Sequence, residues 1–125
     1  MTGLTTAEAQ ATLDARFPTS GATDYIAWST NGTSEAGILA RTAIGATGWA
    51  AATAADPSIK ANANALTSAA VSGTGTITHF AIFSASSGGT QRTDWTALSS
   101  PSGGQAVAAG NTLTIATGAI AVTLT

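Results

Sequence analysis

Thr78-His79-Phe80-Ala81-Ile82-Phe83-Ser84 is the stretch on which the fold class turns. Side chains of an extended strand alternate between two faces, so His79, Ala81 and Phe83 share one face with Ile77, while Thr78, Phe80, Ile82 and Ser84 share the other. Both faces carry apolar residues, which predicts a strand covered on both sides and central in its sheet. On either side of it the chain repeats short extended stretches bounded by Gly, Ser, Asn or Pro. They fall at residues 24–30, 37–44, 49–53, 66–71, 94–98, 112–117 and 119–124. In the first, Tyr25, Ala27 and Ser29 alternate with Ile26 and Trp28, the Tyr25 and Ser29 face is read as outward and Trp28 as core, and Asn31-Gly32 follows as a hairpin turn signal. In the last, Ile120, Val122 and Leu124 share a face, which predicts a one-sided C-terminal strand. Strands at this spacing without a second convincing helix predict a mainly β protein, an antiparallel β-sandwich of about seven to eight short strands.

One helix precedes the strands. Thr5-Thr6-Ala7-Glu8 has the spacing of a capping box, AEAQATLDARF is built of good helix formers, and Pro18 excludes helical geometry at Phe17. The helix is therefore expected over about Thr6 to Arg16. Its apolar stripe is only Ala9, Leu13 and Phe17, too little to persist alone, so it must dock on its own domain or on a neighbour. The expected organisation is an N-terminal helical arm over residues 1–21, with Thr19-Ser20-Gly21 as hinge, and a β-sandwich domain over residues 22–125. Leu4, Leu13, Arg16 and Phe17 are the expected assembly contacts of that arm, and deletion of residues 1–20 is expected to leave a soluble β domain that no longer incorporates into particles. The Ala-rich segment at residues 50–65 is read as a loop.

Composition limits the chemistry. Of the 125 residues 44% are hydrophobic, but 29 of those are alanine, so the core has few large side chains. Charged residues make up 8% and the net charge is −2; four cations at Arg16, Arg41, Lys60 and Arg92 cannot neutralise a row of phosphates, which argues against nucleic acid as a partner. No apolar run reaches the roughly 18 residues of a membrane span, so no membrane insertion is expected. There is no cysteine, hence no disulfide or thiolate nucleophile.

His79 is the only histidine, and Glu8, Asp14, Asp24, Glu35, Asp56 and Asp94 stand at no metal-ligand spacing relative to it; it is expected to be a strand histidine satisfied by backbone or threonine hydroxyls. No G-x-S-x-G elbow marks a nucleophile among the twelve serines, and Ser87-Gly88-Gly89 and Ser102-Gly103-Gly104 lack the lysine and following helix of a phosphate loop. No catalytic residue, metal or cofactor is assigned, and the protein is expected not to be an enzyme. Of the three tryptophans Trp95, flanked by Arg92 and Asp94, is the surface candidate; a core or subunit-interface role is weighed ahead of a sugar platform, and Arg92, Asp94 and Trp95 are the expected surface or glycan contact.

The order of several motifs resembles a group of small virion proteins of tailed phages, of actinobacteriophage type, usually labelled tail-fibre or minor tail proteins. The resemblance lies in Tyr25-Ile26-Ala27-Trp28-Ser29-Thr30, in Gly37-Ile38-Leu39-Ala40-Arg41, and in the strand with Thr78-His79-Phe80. It continues through the Gly88-Gly89 turn, Leu98-Ser99-Ser100-Pro101 and the Gly-containing final hairpin. It spans residues 24–124. Asn31-Gly32 replaces a longer Asp-Pro-Gly turn, and the helix lies outside the shared pattern. The resemblance implies a non-enzymatic structural protein of the virion, made in the bacterial host cytoplasm, most simply a minor tail or tail-fibre component with other virion proteins as partners and a homo-oligomeric state in the particle. Two alternatives stay open: a capsid decoration protein that grips the head with the arm, and a module that binds host surface glycans.

Overall fold

The computed structural model describes residues 4–21, 23–55, 57–98 and 103–124. Asp56 and the end of the Leu98-Ser99-Ser100-Pro101 motif lie outside them, as do the first three residues of the expected arm. Over the described residues the chain is mainly β, 30% strand and 10% helix, with antiparallel sheets and one short N-terminal helix, which is the fold class expected from the sequence. It forms two compact units. One comprises Met1–Thr23, Ile44–Leu66 and Ile115–Thr125; the other comprises Asp24–Ala43 and Thr67–Thr114. The expected division into an arm and a single β domain is therefore not the one drawn by the packing: the N-terminal segment belongs with two later segments of the chain. Short strands β4 (Leu66–Thr67) and β9 (Thr114–Ile115) contain two of the points where the chain passes between units.

In the first unit, α1 (Thr6–Arg16) begins where Thr5 adopts an extended conformation and its Oγ1 accepts a hydrogen bond from the Glu8 N–H, satisfying a first-turn donor that has no partner within the helix. It ends at Phe17, whose N–H still bonds Leu13 O before Pro18 stops the helix. The stripe Ala9, Leu13, Phe17 is buried as its four-residue spacing requires. α1 packs on β3 (Ser58–Ala61), which pairs antiparallel with β10 (Ala121–Leu124) in the register Ser58↔Leu124 to Ala61↔Ala121. Phe17 meets the buried Trp49 ring at 5.2 Å, and Trp49 bridges Asn62 just beyond β3.

β3 lies inside the segment expected to be a loop. The expectation fails because this strand inverts the usual pattern: Ser58, Lys60 and Asn62 are the buried residues, whereas Ile59 is exposed. Hydrophobic periodicity cannot detect a strand whose inward side chains are polar. In the expected strand 49–53, only Trp49 takes part in a β-bridge.

In the second unit a four-stranded antiparallel sheet has the order β2-β1-β6-β7, built from β1 (Tyr25–Ser29), β2 (Thr42–Ala43), β6 (His79–Phe83) and β7 (Thr96–Ala97). β1 and β6 pair along their full length, from Tyr25↔Phe83 to Ser29↔His79. The strand read as central is central. It is also shorter than expected, because the chain breaks step at Thr78: β5 (Gly75–Ile77) pairs instead with β8 (Gln105–Val107), a strand not anticipated. Gly104 makes that pairing feasible, since its φ is +99, beside Gly103 at +84, and a Cβ on it would stand 2.4 Å from Ile77 O.

Tyr25, Ala27 and Ser29 do not form an outward face: Ala27 and Ser29 are fully buried, as are Ile26 and Trp28. β1 lies between two strands, and the directly opposed Ala27 and Ala81 have side chains small enough for that face to be closely covered. Asn31-Gly32 is a turn, with Gly32 at φ +77, but not a hairpin turn. Asn31 Oδ1 accepts from the Thr33 and Ser34 N–H groups, Ser29 Oγ accepts from Gly32 N–H, and the loop closes by Ala36 N–H to Trp28 O. The chain then continues to β2.

Candidate functional site

The expected assembly set is divided by the fold. Leu13 and Phe17 are 3% and 5% exposed within their own unit, so neither is available to a neighbour. Leu4 and Arg16 are exposed. Deletion of residues 1–20 would remove core rather than a free arm, and the expectation of a soluble remainder is corrected accordingly.

The helix also brings a charged group the sequence reading did not single out. Lys60 is fully buried, and its Nζ donates to Asp14 Oδ1 at 2.7 Å; the same oxygen accepts the Ala52 N–H at 2.9 Å, and Gln10 Nε2 donates to Ala52 O. The Lys60 hydrogen bond first, then the Ala52 N–H, hold the Asp14 carboxyl below its ordinary value of 3.8, against a smaller desolvation that raises it. A buried lysine amid Ala and Ser offers no sequence signal beyond the polar alternation Ser58, Lys60, Asn62.

In the second unit a ladder of side chains converges on Phe83 at the end of β6. Trp95 lies against Phe83, with ring centroids 6.0 Å apart and planes tilted by 51°, and the Arg41 guanidinium sits 4.0 Å from the centroid of the Phe83 ring. Arg41 is nearly buried and makes four hydrogen bonds. Nε and Nη2 each donate to a Glu35 carboxylate oxygen at 2.9 Å, and Nη1 donates to Ala85 O at 2.6 Å and Gly88 O at 2.8 Å. The loop after β6 is thus pinned to the Gly37–Arg41 motif region. Arg41→Lys keeps the charge but loses the fork, the loop carbonyls and the flat contact on Phe83. It is expected to lower stability by about 1–2 kcal/mol, read as a shift of the urea midpoint with unchanged slope.

Of the expected glycan contacts, Arg92 is committed elsewhere: its Nη1 donates to Oδ1 of the buried Asp24. This removes it from the expected set. Asp94 is exposed and Trp95 half-buried. Trp28 donates from Nε1 to Thr42 Oγ1, while the Trp95 indole N–H has no hydrogen-bond partner among the described residues. His79 is half-buried on β6, with Nδ1 2.8 Å from Thr78 Oγ1 and its ring packed over Gly32. Among the described residues no group of three or more His, Cys, Asp or Glu side chains is placed to hold a metal ion, and no helix is long and apolar enough to cross a membrane. Neither a family model nor a curated protein matches this chain.

Proposed function

We propose that this chain is a non-enzymatic structural protein of a tailed-phage virion, a minor tail or tail-fibre component. The resemblance of the ordered motifs over residues 24–124 suggests the class, and one observation supports it: the ionisable side chains serve to tie distant segments together. Lys60 and Arg92 are each paired with a carboxylate, 46 and 68 residues away, and Arg41, paired with Glu35, reaches the Ala85 and Gly88 carbonyls 44 and 47 residues away. Such pairs suit a particle protein that must hold its shape. Leu4 and Ile59, both exposed large apolar side chains of the first unit, supply surface for a neighbouring subunit. They replace Leu13 and Phe17 as assembly contacts.

Immunogold labelling of purified particles, with antibody raised against the folded chain, tests the assignment. Label confined to the tail is the expected result. Label over the head surface would favour the decoration reading, and unlabelled particles would overturn both.

A further inference from the structure

We propose that the outer edge of β10 is a self-pairing surface: two copies of this chain join by antiparallel pairing of β10 with β10, with Val122 at the two-fold axis. The hydrogen bonds of the first unit show which backbone groups are open. Asn62 N–H bonds Ile120 O, and the register runs on through Ala61↔Ala121 and Lys60↔Val122, so Ile120, Val122 and Leu124 turn their backbone groups toward β3. On β3 the intervening Ile59 and Ala61 turn the other way, where their carbonyls accept the Thr53 and Ala50 N–H groups. By the same alternation the N–H and C=O of Ala121 and Thr123 point away from β3. Among the described residues they bond no other segment.

The edge is also unguarded. Native sheets protect an open edge with a charged side chain, a proline or a bulge. β10 contains no charge and no proline, and its register with β3 is unbroken. α1 packs on β3, held there by Asp14 and Lys60, and leaves Thr123 exposed. Lys60, the one charged residue of the two strands, is buried beneath the helix. The opposite face of the pair presents Ile59, Ala61, Ala121 and Thr123, with Ile59 37% exposed.

A second copy fits this edge in one register. Directly opposed residues of an antiparallel hydrogen-bonded pair exchange both bonds. With Val122 opposite the partner's Val122, Ala121 stands opposite the partner's Thr123, and Thr123 opposite the partner's Ala121. Every outward donor and acceptor of Ala121 and Thr123 on both strands is then satisfied. A slip by two residues keeps only one opposed pair and leaves the others open. The joined sheet gains an uncharged row of Ile59, Thr123, the partner's Ala121 and the partner's Ala61, and no like charges meet across the axis.

The inference stands apart from the virion reading, because it rests on backbone hydrogen bonds of one unit and its test uses the isolated full-length chain. Sedimentation velocity should show a monomer–dimer equilibrium with a dissociation constant of about 100 μM, the range of a small interface. Hydrogen exchange read by NMR locates it: the Ala121 and Thr123 amides should exchange freely at about 20 μM and become protected at about 1 mM, while Val122 is protected at both. A charge exchange tests the register. The double substitution Ala121→Lys with Thr123→Lys places lysine opposite lysine, and Ala121→Glu with Thr123→Glu places glutamate opposite glutamate. Both pairs of changes lie on the uncovered face, so each chain should stay folded but weaken its own dimer about tenfold, and mixing the two should restore dimers. A chain that remains monomeric at about 1 mM overturns the proposal. So does a dimer that leaves the Ala121 and Thr123 amides unprotected, or undiminished dimerisation of either folded double variant alone.

Discussion

Asp14→Ala is expected to lower the stability of the protein by about 3 kcal/mol, because it leaves the Lys60 ammonium buried without its carboxylate. The estimate sits at the low end for breaking a buried pair, since the Asp14 side chain is 40% exposed and water can enter where the carboxylate was. Lys60→Met should cost much less, about 1 kcal/mol, because it removes the buried charge, roughly keeps the volume, and leaves Asp14 facing water and still accepting the Ala52 N–H. Urea titrations of both variants check the asymmetry. Equal losses would mean that packing of the lysine stem, not burial of its charge, dominates. The same pair gives a pH signature. The folded chain holds Asp14 below 3.8, so at low pH the unfolded chain binds a proton more readily than the folded one. The contribution is complete above 3.8 and disappears as pH falls through the folded value. Asp14→Asn should flatten that part of the acid stability curve, and an unchanged curve would show that other carboxylates carry it.

The second large effect is expected at Asn62. This residue is 1% exposed and uses its whole amide: Oδ1 accepts from Ile120 N–H at 2.9 Å, and Nδ2 donates to Asn64 O at 2.8 Å and Ala116 O at 3.0 Å. Its backbone adds bonds to Ile120 O and from Gly118 N–H, so one residue fastens the turn that leads into β10. Asn62→Ala strands a buried N–H on Ile120 and loosens two carbonyls, at an expected cost of about 3 kcal/mol. Asn62→Asp should be no better, since it removes both donors and buries a charge. Hydrogen exchange locates the effect: amides of residues 118–123 should lose protection, while those of β1 and β6 keep theirs. Uniform loss across the chain would mean that this turn is not a separately stabilised element.

These two sites also mark where the sequence stopped being readable. The helix was legible to the residue, because a cap, a stripe at four-residue spacing and a following proline are local signals. The central strand was legible because apolar residues on both faces leave few alternatives. β3 was not, because its buried positions are Ser58, Lys60 and Asn62: Lys60 and Asn62 are satisfied by Asp14, Ala116 and Ile120, partners 46 to 58 residues away, and Ser58 only by the Thr53 carbonyl. The break at Thr78 was hidden for a similar reason: an uninterrupted alternation does not reveal that its first three residues pair with a different strand from its last five. At the surface, neighbouring positions alone grouped Arg92 with Asp94 and Trp95. The fold keeps the last two there and spends Arg92 on Asp24, whose burial no local pattern announced.

The central claim is that the chain is a structural part of a virion tail. It is tested most directly by quantitative peptide mass spectrometry of gradient-purified particles from a phage lysate that contains the chain, scaled against the major capsid and tail-tube proteins. The account predicts that the chain co-purifies at a fixed, small copy number per particle, as a tail or fibre component would. Its absence from the particles, or a copy number that tracks the major capsid protein, would contradict it.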